Sequence, residues 1–91
     1  MFLKDPGARL DYRFDWSERL AGGLVLTASD WRVEPEAAGG LAIESSAIEG
    51  SETLVWLSGG EQGRVYAVRN QVRFSDGQID ERSLVLRVEQ R

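Results

Sequence analysis

The run Arg64-Val65-Tyr66-Ala67-Val68-Arg69-Asn70-Gln71-Val72-Arg73-Phe74 alternates with a period of two. One face reads Tyr66, Val68, Asn70, Val72, Phe74; the other reads Val65, Ala67, Arg69, Gln71, Arg73. Successive strand side chains point to opposite sides, so the run predicts a strand with its even positions inward. Ser83 to Glu89 repeats the pattern with Leu84, Leu86 and Val88 inward. Ser75-Asp76-Gly77 between them is a turn signal, because glycine accepts the positive φ such turns need. Opposed residues of antiparallel strands share a face, so even positions must meet even positions. A two-residue Asp76-Gly77 turn sets Val72 against Glu81 and fails. A three-residue loop sets Val68 against Leu84 and Tyr66 against Leu86. A longer loop to Ser83 sets Val72 against Leu86. The last two both pass, and both stay open.

Outward from this hairpin the same period recurs. Leu10, Tyr12, Phe14 and Trp16 alternate with Asp11, Arg13 and Asp15. From Val25 to Val33 the odd positions, Trp31 included, form one face, with Asp30, Arg32 and Glu34 on the other; Pro35 stops the ladder. Leu41, Ile43 and Ile48 mark short strands, and Thr53–Leu57 is a compact apolar one. Ser17–Ala21 reads as a single helical turn capped by Ser17. The expected core is Leu10, Tyr12, Phe14, Trp16, Val25, Val33, Leu41, Ile43, Leu54, Trp56, Tyr66, Val68, Val72, Leu84, Leu86 and Val88. Asn70 falls on the inward face and must be hydrogen-bonded if buried.

About seven short strands in 91 residues predict an all-β, antiparallel β-sandwich. Gly63-x-x-Tyr66-x-Val68 resembles the start of the penultimate strand of immunoglobulin-like domains, where a tyrosine hydroxyl ties the preceding corner to the strand. The length suits one domain over residues 1–91, with residues 1–8 an extended N-terminal arm that pairs with an edge strand of its own domain or of a neighbour. Lys4, the only lysine, sits near that terminus, where mobility is expected.

Composition removes most chemistry. The chain has no histidine and no cysteine. Disulfides, thiolate or imidazole metal sites, cysteine nucleophiles and histidine-dependent triads are therefore excluded. The pairs Asp11/Asp15 and Asp76/Asp80 would need a substrate-sized cleft to act as a glycosidase couple, and a flat strand face provides none. Asp76, Asp80 and Glu81 could offer oxygen ligands to calcium, but their spacing lacks the alternation of a calcium loop and turn formation explains Asp76. No catalytic residue, cofactor or metal is expected. The net charge of −4 disfavours nucleic acid, and no apolar run is long enough to span a membrane.

Charge is unevenly spread. Residues 35–63 hold five glutamates and no lysine or arginine; residues 64–91 hold six arginines against four acids. This split suggests self-association, an acidic region of one copy meeting a basic region of the next in a head-to-tail ring. Arg69, Arg73 and Arg87 lie on the outward face of the last hairpin and, with Trp31, are the candidate partner-docking residues. A carbohydrate- or surface-binding module using Trp31, Trp56 or Trp16 is the alternative.

Three phrases carry a family resemblance: Lys4-Asp5-Pro6 followed by Leu10-Asp11-Tyr12-x-Phe14-Asp15-Trp16-Ser17; Val55-Trp56-Leu57-Ser58-Gly59-Gly60 with Gly63 and Tyr66-x-Val68; and Ser75-Asp76-Gly77-x-x-Asp80-x-Arg82-Ser83-Leu84. Together they resemble short phage and prophage proteins known as fibre-tail adaptors or phage structural proteins. The resemblance implies a virion component, made in the host cytoplasm, that joins other tail or fibre proteins without catalysis or cofactor.

Overall fold

The computed structural model describes residues 1–90. Seven strands form two sheets: β1 (Phe2–Lys4), β2 (Leu10–Asp15), β3 (Leu26–Glu34), β4 (Leu41–Glu49), β5 (Glu52–Gly59), β6 (Val65–Phe74) and β7 (Ile79–Val88). A four-stranded sheet has the order β1-β7-β6-β3 and a three-stranded sheet the order β2-β5-β4. Every pairing is antiparallel except β1 with β7, which is parallel. The all-β, two-sheet architecture is that of a β-sandwich.

The three-residue loop is the one adopted. Val68 faces Leu84 and Tyr66 faces Leu86. The Phe74 N–H donates to Gln78 O at 2.9 Å and the Gly77 N–H to Phe74 O at 2.9 Å, closing the turn. Val72, Val68, Leu86 and Val88 are fully or almost fully buried. The Tyr66 hydroxyl accepts the Glu61 N–H at 3.0 Å, tying the preceding corner to the strand.

Between the sheets lie two apolar clusters. The larger gathers Val33, Leu41, Val55, Leu57, Tyr66, Val68, Leu84, Leu86 and Val88. The smaller joins Trp16, Val72 and Phe74, with Phe14, Leu20 and Leu26 against it. Several expected core positions are corrected. Leu10, Val25 and Ile43 are exposed. Val25 precedes β3, and an irregularity between Leu26 and Ala28 shifts the register, so Leu26 packs inward in its place. Ile43 and Leu10 pair inward with Leu57 but stand on the two edge strands of the smaller sheet. Trp56 is only half-buried. Tyr12 pairs with Val55 and Phe14 with Thr53, so the odd positions of β5 face the core and Trp56 faces outward.

The segment after β2 forms two short 3-10 turns, Ser17–Arg19 and Ala21–Gly23. Ser17 does not cap the first: its own N–H is held by Asp15 Oδ1 at 2.9 Å. The N-terminal arm joins its own sheet, with Phe2 beside Leu86 and Lys4 beside Val88. Lys4 is buried. Its Nζ donates to Gly59 O at 2.8 Å and to Asp5 O at 3.0 Å. Burial pulls the ammonium pKa below the usual lysine range, partly offset by the Asp5 charge.

Gly60 bridges these pieces. Its φ is +102°, and a Cβ there would lie 2.6 Å from Val88 Cγ2 in the core. Gly22 shares the left-handed backbone (φ +75°) but has open space around it. Gly60→Ala should cost about 1–3 kcal/mol through conformational strain and overpacking. Gly22→Ala should cost about 1 kcal/mol, from the backbone alone. Paired urea melts measure both; equal losses would mean that Val88 yields freely.

Candidate functional site

Each sheet turns one face inward and one outward, and the outer faces differ in charge and in apolar content. On the four-stranded sheet the register sets Leu3 beside Arg87 and Arg87 beside Val65; then Val85 beside Ala67 and Ala67 beside Glu34; then Ser83, Arg69 and Arg32 in one row. Further along come Glu81, Gln71 and Asp30, and finally Ile79, Arg73 and Ala28. This face therefore carries four arginines and three acids. Arg69 lies 3.2 Å from Glu34 and 3.5 Å from Glu81. Its Nε approaches Glu34 at ion-pair distance but lacks the alignment of a hydrogen bond. Arg87 pairs with Glu89 at 2.7 Å. Arg32 sits directly opposite Arg69, and like charges so placed repel. Among the described residues neither Arg32 nor Arg73 has an ion-pair partner. A shallow depression of about 320 Å³ runs between Thr27, Asp30, Gln71, Arg73 and Ile79.

The three-stranded sheet presents the opposite balance. Asp15 faces Glu52, and Glu52 faces Glu49, so three carboxylates cross the sheet in a row. Arg13 reaches toward this row, bonding Asp11 at 3.2 Å, Glu49 at 3.1 Å and Glu52 at 3.4 Å. At the other end Arg9 pairs with Glu44 at 3.2 Å, and its guanidinium sits 4.4 Å over the Trp56 ring. The Ser58 hydroxyl donates to Glu44 at 2.8 Å. That bond, with Arg9, holds the Glu44 carboxyl below the usual glutamate range. The Ser17 backbone N–H and hydroxyl do the same for Asp15. Five acids against Arg9 and Arg13 leave this face negative.

The candidate docking residues do not all meet. Arg69, Arg73 and Arg87 share the outer face of the four-stranded sheet, as their parity predicts. Trp31 is on the opposite side. Its ring stacks on Phe14 at 5.5 Å with an interplanar angle of 6°, and its Nε1 is buried without a hydrogen-bond partner. Trp16 is fully buried. Trp56 lies under Arg9. So Trp16 offers no ring face to a ligand, and Trp31 and Trp56 each have one face covered, by Phe14 and by Arg9. Sequence reading passed over Arg32, the uncompensated partner of Arg69; its outward parity on β3 was the available signal.

The carboxylates considered for catalysis or calcium have structural partners. Asp76 Oδ1 accepts the Gln78 N–H at 3.0 Å, Asp80 pairs with Arg19, and Glu81 pairs with Arg69. Among the described residues no three acidic side chains converge as metal ligands, and no helix is long and apolar enough to cross a membrane.

Against known proteins, a family model for the podophage GP4 fiber-tail adaptor protein gp77 matches residues 4–87. No curated protein matches the chain.

Proposed function

The chain belongs to the podophage GP4 fiber-tail adaptor family, and from that premise we propose that it is a non-catalytic virion protein that joins other tail and fibre proteins through the outer face of its four-stranded sheet. The observation that carries this reading is the composition of that face. Leu3, Val65 and Val85 stand exposed around Arg87, and among the described residues Arg32 and Arg73 have no ion-pair partner. Exposed apolar groups framed by guanidiniums suit a flat protein surface that bears carboxylates. The depression beside Arg73 and Ile79 gives such a surface a place to seat a side chain.

A membership based on contact, not turnover, also fits the rest of the molecule. The polar groups that could act on a substrate are held in turns and ion pairs. The sandwich interior is filled by apolar side chains and by buried polar groups that are hydrogen-bonded to one another.

Co-expression of the tagged chain with podophage tail and fibre proteins tests the reading. At least one should co-purify in a salt-sensitive manner. Arg73→Glu with Arg87→Glu should reduce capture about tenfold or more. Glu18→Lys, on the first 3-10 turn, should leave capture unchanged. Failure to capture any tail or fibre protein would overturn the proposal.

A further inference from the structure

We propose that the free edge of β3 is a strand-acceptor site, where an extended segment of a partner protein adds to the four-stranded sheet and carries basic, acidic and basic side chains in alternation on its outward side. The inference rests on the adaptor reading and gives the partner's segment its form. β3 pairs with β6 along one edge, and among the described residues no strand pairs with the other. An edge strand leaves alternate N–H and C=O groups pointing at whatever lies beside it, and folds usually blunt such an edge with a bulge, a proline or an inward charge. The stretch from Ala28 to Glu34 has none of these. Its register with β6 is unbroken. It holds no proline, and its inward positions Ser29, Trp31 and Val33 carry no charge. The other terminal strands are less available. β1 has three residues, and β4 slips register between Ile43 and Ser45. On β2, Arg13 is already paired with Asp11, Glu49 and Glu52.

Charge defines the occupant. The outward side chains along β3 read Asp30, Arg32, Glu34, and these residues are exposed. Glu34 is shared with Arg69, but among the described residues neither Asp30 nor Arg32 has an ion-pair partner. Side chains directly opposite on an added strand stand roughly 5 Å away, where opposite charges attract. A segment reading basic-x-acidic-x-basic therefore meets Asp30, Arg32 and Glu34 in turn. The pattern reads the same in both directions, so it suits a parallel or an antiparallel addition.

There is room for the new side chains. A depression of about 320 Å³ lies beside Thr27, Ala28 and Asp30, and one of about 480 Å³ lies beside Arg32, Val33, Glu34 and Glu36. The second is lined by the inward Val33 as well as by the outward Arg32 and Glu34, so it opens at the edge itself. Main-chain bonds give such a contact its affinity, and the alternating side chains give it its choice of sequence.

Nuclear magnetic resonance titration of the isotope-labelled chain with the peptide Thr-Lys-Val-Glu-Val-Lys-Thr tests this on the isolated protein. Binding should saturate with a Kd of about 1 mM or below. It should shift the amides of Ala28 to Glu34 and slow hydrogen exchange along the free edge. The reversed peptide Thr-Glu-Val-Lys-Val-Glu-Thr should bind about tenfold more weakly, because attractive pairs become repulsive ones. Arg32→Glu should instead prefer Thr-Lys-Val-Lys-Val-Lys-Thr over the first peptide by about threefold or more, with the rest of its spectrum native. Of the two forms of the first peptide methylated on alternate backbone nitrogens, one should lose binding with every charge kept. Equal binding of the reversed peptide, or of both methylated forms, overturns the inference. So do shifts confined to β7, or β3 amides already protected in a dimer of the native chain, which would make a second copy the occupant. If the chain captures tail proteins but the peptide does not bind, this inference falls and the adaptor reading stands. If the peptide binds but no tail or fibre protein is captured, the edge site stands and the adaptor reading falls.

Discussion

Val68→Asp is expected to unfold most of the protein at neutral pH, at a cost of about 4 kcal/mol or more. Val68 is fully buried at the centre of β6, between Val33 on β3 and Leu84 on β7. A carboxylate there has no cation within the apolar cluster to pair with. A chain of this size has only about 5–13 kcal/mol of total stability to lose. The lost valine packing alone accounts for about 2 kcal/mol, which Val68→Ala isolates. The remainder is the charge, and its sign can be read from pH. Burial raises the folded-state pKa of the new aspartate above its unfolded value of about 3.9. Between those two values the folded state binds more protons than the unfolded one, so stability falls as pH rises through that window. Urea melts at pH 5 and pH 8, each referred to the native chain at the same pH, should show the smaller deficit at pH 5. A melt unchanged from the native one would mean that β6 does not turn its even face inward.

That parity was fully legible in the sequence, because both strands of the last hairpin alternate without interruption. Elsewhere the period broke where composition leaves no mark. A single extra residue between Leu26 and Ala28, and another between Ile43 and Ser45, changes which side chains face inward. Thr27 and Glu44, at these irregularities, are unremarkable strand residues. In β5 both parities are apolar, Leu54 and Trp56 on one side and Val55 and Leu57 on the other. Only the pairing of β5 with β2 decides between them. The arginine face could be read because β6 and β7 are neighbours along the chain. The row of Asp15, Glu52 and Glu49 could not, since it exists only once β2, β5 and β4 are ordered side by side. The charge split between residues 35–63 and 64–91 hinted at it. Sheet order turned a property of segments into a property of faces: β5 and β4 contribute Glu52, Glu49 and Glu44 to one side, and β6 and β7 contribute Arg69, Arg73 and Arg87 to the other.

Thr53→Val should cost about 2–4 kcal/mol although it keeps the shape of the side chain. Thr53 and Asn70 are the buried uncharged polar residues between the sheets. The Trp16 Nε1–H donates to Thr53 Oγ1 at 3.0 Å, and the Thr53 hydroxyl donates to Asn70 Oδ1 at 2.6 Å. The Asn70 amide donates onward to Ser29 Oγ at 2.9 Å and to Asp30 O at 3.0 Å. This relay runs from the end of β2 through β5 to β6 and β3, so it crosses from one sheet to the other. Removing the hydroxyl strands an indole N–H and an amide oxygen where water does not reach, and each carries a desolvation penalty of about 1–3 kcal/mol. Replacing Asn70 by leucine strands the Thr53 hydroxyl and the Asp30 carbonyl instead. With both changes made, the Thr53–Asn70 bond has lost donor and acceptor together, and the loss should fall short of the sum of the single losses by about 1 kcal/mol or more. Urea melts of the native chain, the two single variants and the double variant close that cycle. Additive losses would show that the two side chains are satisfied independently, and the sheets would then be held by apolar packing alone. A shortfall would show that one continuous polar contact fixes how the sheets are set against each other. That setting also fixes the relative position of the acidic and basic outer faces.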